Sequence, residues 1–129
     1  MGCVSAGAAG MSKQFSLRKK MAVLSKTGGF CSYCGADLNE SGFVIDHVNP
    51  KFLGGNNDLA NLLPACSPCN TSKGKKTLEQ FRLFCAAKKV TGTMVFGQAQ
   101  VEYLHAAGAF DVLGFDADHK FHFEMAGVN

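Results

Sequence analysis

The stretch VIDHVNPKFLGGNNDLANLLPACSPCN, residues 44–70, decides how this chain is read. GFVIDHV, which overlaps its start, has the β-branched and aromatic content of a strand, and Asn49-Pro50 ends that strand. The following NPKFLGGNNDLAN is dense in turn formers and reads as an irregular loop. LLPAC is too short for a helix and too apolar for exposure, which makes it a second, short strand. A short helix then begins within residues 67–70 and carries TSKGKK at its end or just beyond.

Working outward, Ser16 caps a helix over LRKKMAVLSK, in which Leu17, Met21 and Leu24 recur at helical spacing and Gly28-Gly29 supplies the stop. Its other face is basic. Thr77 with Gln80 forms a capping-box pattern opening a helix to about residue 89, with an apolar face of Leu78, Phe81, Phe84 and Cys85. A last helix is expected over residues 98–107, stopped by Gly108. KFHFEM alternates like a strand, burying Phe121, Phe123 and Met125 and exposing His122 and Glu124. His119 and His122 with Asp116 and Asp118 would otherwise suggest a second metal site, but the alternation is the simpler account. At the other end, MGCVSAGAAG reads as a flexible leader over residues 1–11, because a myristoylation signal needs Ser or Thr where this chain has Ala6; Met11 would serve equally as a start.

The length of 129 residues suits one folded domain over 12–129, yet 15 glycines and long polar loops leave a hydrophobic core in need of a staple. No apolar run approaches the roughly 20 residues needed to cross a bilayer, and no secretory signal opens the chain, so a soluble, cytoplasmic protein without membrane association is expected. That setting favours metal thiolates over disulfides for the six cysteines. Net charge is only +3, but 12 of the 13 Lys and Arg lie within residues 13–89 against five of the 10 Asp and Glu. The first two-thirds is therefore a basic surface suited to a polyanion, and residues 90–129 are acidic.

Cys31 with Cys34 and Cys66 with Cys69 form two C-x2-C pairs, 31 residues apart. Two such knuckles match the closed tetrahedral sulfur site of structural zinc, the alternatives being buried free thiols or a cluster. Such a site would pin the ends of the loop-bearing stretch together. Cys85 fits a helix core, and Cys3 lies outside the pattern.

Within that closed loop, His47 follows Asp46 on a strand, so the two side chains face opposite ways unless the backbone bends. Asn70 directly follows Cys69, and a bound knuckle would hold it in place. A carboxylate and an amide oxygen suit a hard cation such as magnesium, and a neutral His suits proton abstraction from water near neutral pH. Metal, base and basic surface together describe phosphodiester hydrolysis. Singly each residue has a plainer account: Asp46 as a hydrogen-bond partner of His47, and Asn56, Asn57 and Asn61 as turn and cap residues.

Together and in this order, CSYCG, IDHVNPKFLGGNNDLANLLPACSPCN and KGKK resemble the HNH endonuclease family over residues 30–76. The resemblance implies an α+β fold: a small ββα-metal core of two strands, a long loop and a helix, stapled by a structural four-cysteine zinc site and flanked by α-helices. It implies His47 as the general base that activates water. Asn61 would be the central signature residue that holds the base's orientation, and Asn70 and Asp46 would ligate one catalytic metal. In one departure, the further ligand that histidine-based members carry one turn after the last signature residue is here Gly74. Two protein ligands leave an open coordination sphere that favours Mg²⁺ or Mn²⁺.

The family's reaction leaves a 5′-phosphate and a 3′-hydroxyl. Lys51, Lys73, Lys75 and Lys76 are candidate phosphate contacts, and Arg18, Lys19 and Lys20 on the first helix are candidate DNA contacts. Double-stranded DNA in a phage, restriction or mobile-element setting is the expected partner, with a homodimer or protein contact through the acidic C-terminal region as a further expectation. The alternative is a zinc-stabilised binding module that kept the scaffold without cleaving. RNA ranks behind DNA because no aromatic stacking platform stands out.

Overall fold

Ser16 sets the first element in the computed structural model, which describes residues 15–128; the leader and Cys3 lie outside the described residues. The Ser16 hydroxyl accepts from the Lys19 amide at 3.1 Å and starts helix α1 (Leu17–Ser25). The expected apolar face does not meet the core: Leu17 and Met21 are 71% and 55% exposed. Val23 is buried instead, packed with Phe15, Ile45 and Leu62. The reason is that α1 docks through Val23 with Lys19 and the C-cap Lys26 beside it: the Lys19 ammonium bonds the Asn57 carbonyl, and the Lys26 ammonium bonds the carbonyls of Leu59 and Leu62.

A one-turn helix α2 (Leu38–Ser41) follows, capped by Asp37. Strands β1 (Val44–His47) and β2 (Leu62–Ala65) pair antiparallel, with His47 opposite Leu62 and Val44 opposite Ala65. The loop between them contains two 3₁₀ turns, Lys51–Leu53 and Leu59–Asn61. Pro64 is tolerated within β2 because each strand of a two-stranded sheet keeps one unpaired edge. Its carbonyl accepts from the Ser32 amide and hydroxyl at 3.0 and 2.7 Å, tying the first cysteine knuckle to the sheet. Cys66 caps helix α3 (Ser67–Lys73), with proline in its first turn, and Gly74 at φ 50° ends it. Two strands, a loop and a helix therefore form the α+β core that the sequence implied.

Helix α4 (Leu78–Thr91) opens on the expected capping box, both halves of which are made between Thr77 and Gln80. Helices α5 (Gln98–Ala106) and α6 (Phe110–Leu113) follow. The stretch expected as one domain divides into two compact units, residues 15–75 with 121–128 and residues 76–120. The second has its own core of Ala86, Ala87, Val101, Phe110 and Phe115, with the last two rings edge-to-face at 5.3 Å.

The C-terminal segment departs from expectation. It forms a one-turn helix α7 (His122–Met125), not a strand; Phe121 is buried, Phe123 half-buried and Met125 70% exposed. The backbone amides of His122 and Phe123 bond the carbonyls of Tyr33 and Ser32, and the Glu124 carboxylate returns to the Phe121 amide at 2.9 Å. Two consecutive amides engaged on a knuckle, followed by a self-satisfied turn, leave no alternating ladder to extend. No helix among the described residues is long and apolar enough to cross a membrane.

Candidate active site

Backbone geometry brings the four knuckle cysteines together. The ligand atoms of Cys31, Cys34, Cys66 and Cys69 all lie within 4.8 Å of one another. The Cys66 amide points at Cys31 Sγ at 3.3 Å and the Cys69 amide at Cys66 Sγ at 3.4 Å, the kind of donor that stabilises thiolate charge. Packed so closely, the thiols compete for protons. Hydrogen bonds from Cys31 and Cys69 pull Cys34 down to about 3, and the thiol of Cys69 is pushed up by the same exchange with Cys31 and Cys34. A cation that replaces the protons relieves this competition, and four convergent sulfurs are a metal-binding donor set.

The sheet carries the second cluster. Asp46 and His47 diverge across β1, as strand geometry requires. Asp46 is 5% exposed; Tyr33 Oη donates to its Oδ2 at 2.5 Å, and Lys73 Nζ lies 3.2 Å from the same oxygen. Lys73 is fully buried and also donates to the His47 carbonyl at 3.0 Å. Burial raises the carboxyl pKa of Asp46, opposed by the Lys73 charge and the Tyr33 hydroxyl. Burial next to that carboxylate likewise pushes the Tyr33 phenol well up. Tyr33 is held edge-on by Phe121 at 5.1 Å, so the C-terminal segment supports the group that orients Asp46.

His47 turns the other way, with Phe15 6.3 Å from its ring and its Nε2 2.8 Å from Asn57 Oδ1. Asp46 and His47 nevertheless share an open cleft of about 370 Å³ with Asn70, Lys51, Lys75, Phe52 and Gly74. Asn61 lies away from this cleft and bonds the loop rather than His47. Its Oδ1 accepts from the Asn49 amide at 2.8 Å, and its Nδ2 donates to the carbonyls of Asn56 and Asn49 at 2.8 and 3.2 Å.

The lysines divide by role. Lys51 and Lys75 line the cleft, the latter with its ammonium 5.8 Å from the Phe52 ring centre. Lys73 is not available to a phosphate: its side chain has no exposed surface and its charge is taken by Asp46. The reading of it as a surface contact is therefore corrected, because a lysine in the last turn of α3 faces β1, not solvent. Lys76 opens the second unit, its ammonium over Phe84 at 4.7 Å. On α1, Arg18 is exposed and Lys20 half-buried, while Lys19 donates to the Asn57 carbonyl. Tyr33 and Asn57 were absent from the expected site. A tyrosine between knuckle cysteines and an asparagine in a turn look ordinary until the fold closes on them.

Residues 31–83 match the HNH endonuclease family model. A curated relative named "SPbeta prophage-derived putative HNH endonuclease YoqL", from Bacillus subtilis strain 168, is 36% identical over 62 residues, which cover 40% of this chain and 26% of the relative. The chain thus spans about a quarter of the length of that relative. No solved structure matches the chain. Residues 31–83, which carry the ββα core and the four-cysteine cluster, are thus similar to the HNH endonuclease family.

Proposed function

We propose that this protein is a metal-dependent endonuclease that hydrolyses DNA phosphodiester bonds to 5′-phosphate and 3′-hydroxyl ends. The observation that carries the reading is the cleft in which Asp46, His47 and Asn70 meet Lys51 and Lys75. His47 takes the proton of the attacking water. Asp46 and Asn70 offer hard oxygen donors, a set that fits Mg²⁺ or Mn²⁺ better than zinc, and Lys73 offsets the carboxylate charge so that affinity without substrate is low. A divalent cation bound there supplies charge stabilisation to the scissile phosphate and the leaving 3′-oxygen. Lys51 and Lys75 hold neighbouring phosphates and position the duplex without reading its sequence. Cys31, Cys34, Cys66 and Cys69 hold a structural zinc ion that keeps Asn70 and β1 in register. On this reading the acidic residues 90–129 would meet a second copy or a protein partner, and a cytoplasmic setting belongs to the same reading.

One observation favours a non-cleaving binding module instead: the buried Lys73 neutralises the carboxylate that would hold the catalytic metal. Plasmid cleavage by the purified protein with Mg²⁺, Mn²⁺ or EDTA, beside His47→Ala shown to retain its zinc, separates the two. Metal-dependent nicking or linearisation that the variant loses is the expected result. DNA binding without cutting under any of these ions would favour the binding module.

A further inference from the structure

The imidazole of His47 has one hydrogen-bond partner set by the loop, and that partner is not the family's signature asparagine. Asn57 Oδ1 lies 2.8 Å from His47 Nε2. An amide oxygen only accepts, so the nitrogen facing it must be the one that carries hydrogen, and the lone pair of the neutral ring is then on Nδ1. An exposed asparagine in a loop would ordinarily sample many rotamers, and its bond would decide little. Here the backbone around it is fixed from three sides. Asn61 holds the Asn56 carbonyl at 2.8 Å, the Asp58 amide bonds Asn56 Oδ1 at 3.1 Å, and the Lys19 ammonium of α1 donates to the carbonyl of Asn57 itself. The signature residue Asn61 and the basic helix therefore act on the same loop and aim the side chain of Asn57.

We propose that Asn57 is the positioning residue of the general base: it selects the Nε2–H tautomer of His47 and leaves Nδ1 to take the proton. This rests on the nuclease reading. In the step it serves, a water O–H bond breaks and its proton passes to Nδ1. The water oxygen bonds phosphorus, and the 3′-oxygen departs with the P–O electron pair. Lys19 and Asn61 support the geometry and do not touch the reacting atoms.

The test is ¹⁵N-histidine NMR of the full zinc-loaded chain at a pH where the imidazole is neutral, with His47→Gln identifying the His47 signals, alongside steady-state cleavage. In the wild type His47 should show the Nε2–H pattern. Asn57→Ala should mix the tautomers and lower kcat about tenfold with KM held within about twofold. Asn57→Asp, which keeps the accepting oxygen, should restore the tautomer. An Nδ1–H pattern in the wild type overturns the proposal, with no variant needed. So does an Asn57→Ala protein of unchanged tautomer, or one whose tautomers mix while kcat is unaffected. If the chain proves not to cleave DNA, the nuclease reading fails by itself and takes the catalytic role of Asn57 with it, while the NMR arm still reports the Asn57–His47 bond.

Discussion

Lys73 shows how much one residue can decide. It lies in the last turn of α3 with no exposed surface, its ammonium bonded to Asp46 and to the His47 carbonyl. Removing one partner of a buried pair leaves an uncompensated charge, so Lys73→Met should destabilise the protein by about 3–5 kcal/mol. Replacing both, as Lys73→Met with Asp46→Leu, should recover most of that loss. Urea midpoints at fixed zinc concentration check both; a single variant as stable as wild type would remove the ion pair from the account of the core. Cys85 on α4 supplies a second test at this scale. Burial pushes its thiol up to about 11 from an ordinary 9.0. Its alkylation, followed on the Cys85 peptide by mass spectrometry, should stay slow at pH 9 and accelerate towards pH 11. The sign for stability follows from linkage: between these values the unfolded thiol has lost its proton and the folded one has not, so this group's contribution falls as pH rises.

At the scale of elements, the loop between β1 and β2 is held from outside as much as by its own turns. Lys26 donates to the carbonyls of Leu59 and Leu62 at 2.8 and 2.7 Å, and burial lowers its pKa. Lys26→Met should speed amide exchange across residues 58–62 while α4 keeps its protection, measured by hydrogen exchange with mass spectrometry. Inside the loop, Gly55 passes so close to the preceding turn that an added Cβ would lie 1.7 Å from the Asn49 carbonyl oxygen. The backbone would have to move, so Gly55→Ala should cost about 1–3 kcal/mol and displace the Asn57–His47 bond with it. Thermal unfolding and the His47 NMR signals would register the two effects separately. The basic face of α1, read in the sequence as a DNA-facing surface, is thus partly spent on holding this loop.

At the scale of the whole molecule, the two units are stabilised by different means. Residues 15–75 with 121–128 rely on a small core around Val23, Ile45 and Leu62 and on the cysteine cluster, whereas residues 76–120 rely on Val101, Phe110 and Phe115. A structural metal supplies folding energy that a small core lacks. Chelation should therefore remove exchange protection from β1, β2 and α3 while α4 and α5 retain theirs. Loss of protection in both units at once would show that one cooperative transition spans the chain.

Local chemistry made much of this legible from the sequence alone. The two C-x2-C pairs, the Asp46-His47 strand, the turn-rich loop and the Thr77 capping box each draw their meaning from neighbours within a few residues, and each forms where expected. What failed to read correctly depends on partners distant in sequence. The face of α1 that docks was chosen by loop carbonyls more than 30 residues away, and Lys73 was buried by a carboxylate 27 residues before it. KFHFEM became a turn of helix because the knuckle carbonyls of Ser32 and Tyr33, some 90 positions earlier, took its amides. Periodicity and spacing determine which elements can form and which residues bear chemistry. Which asparagine bonds the His47 ring was decided only when the chain closed, because hydrogen bonds are made by atoms brought within about 3 Å whatever their separation along the backbone.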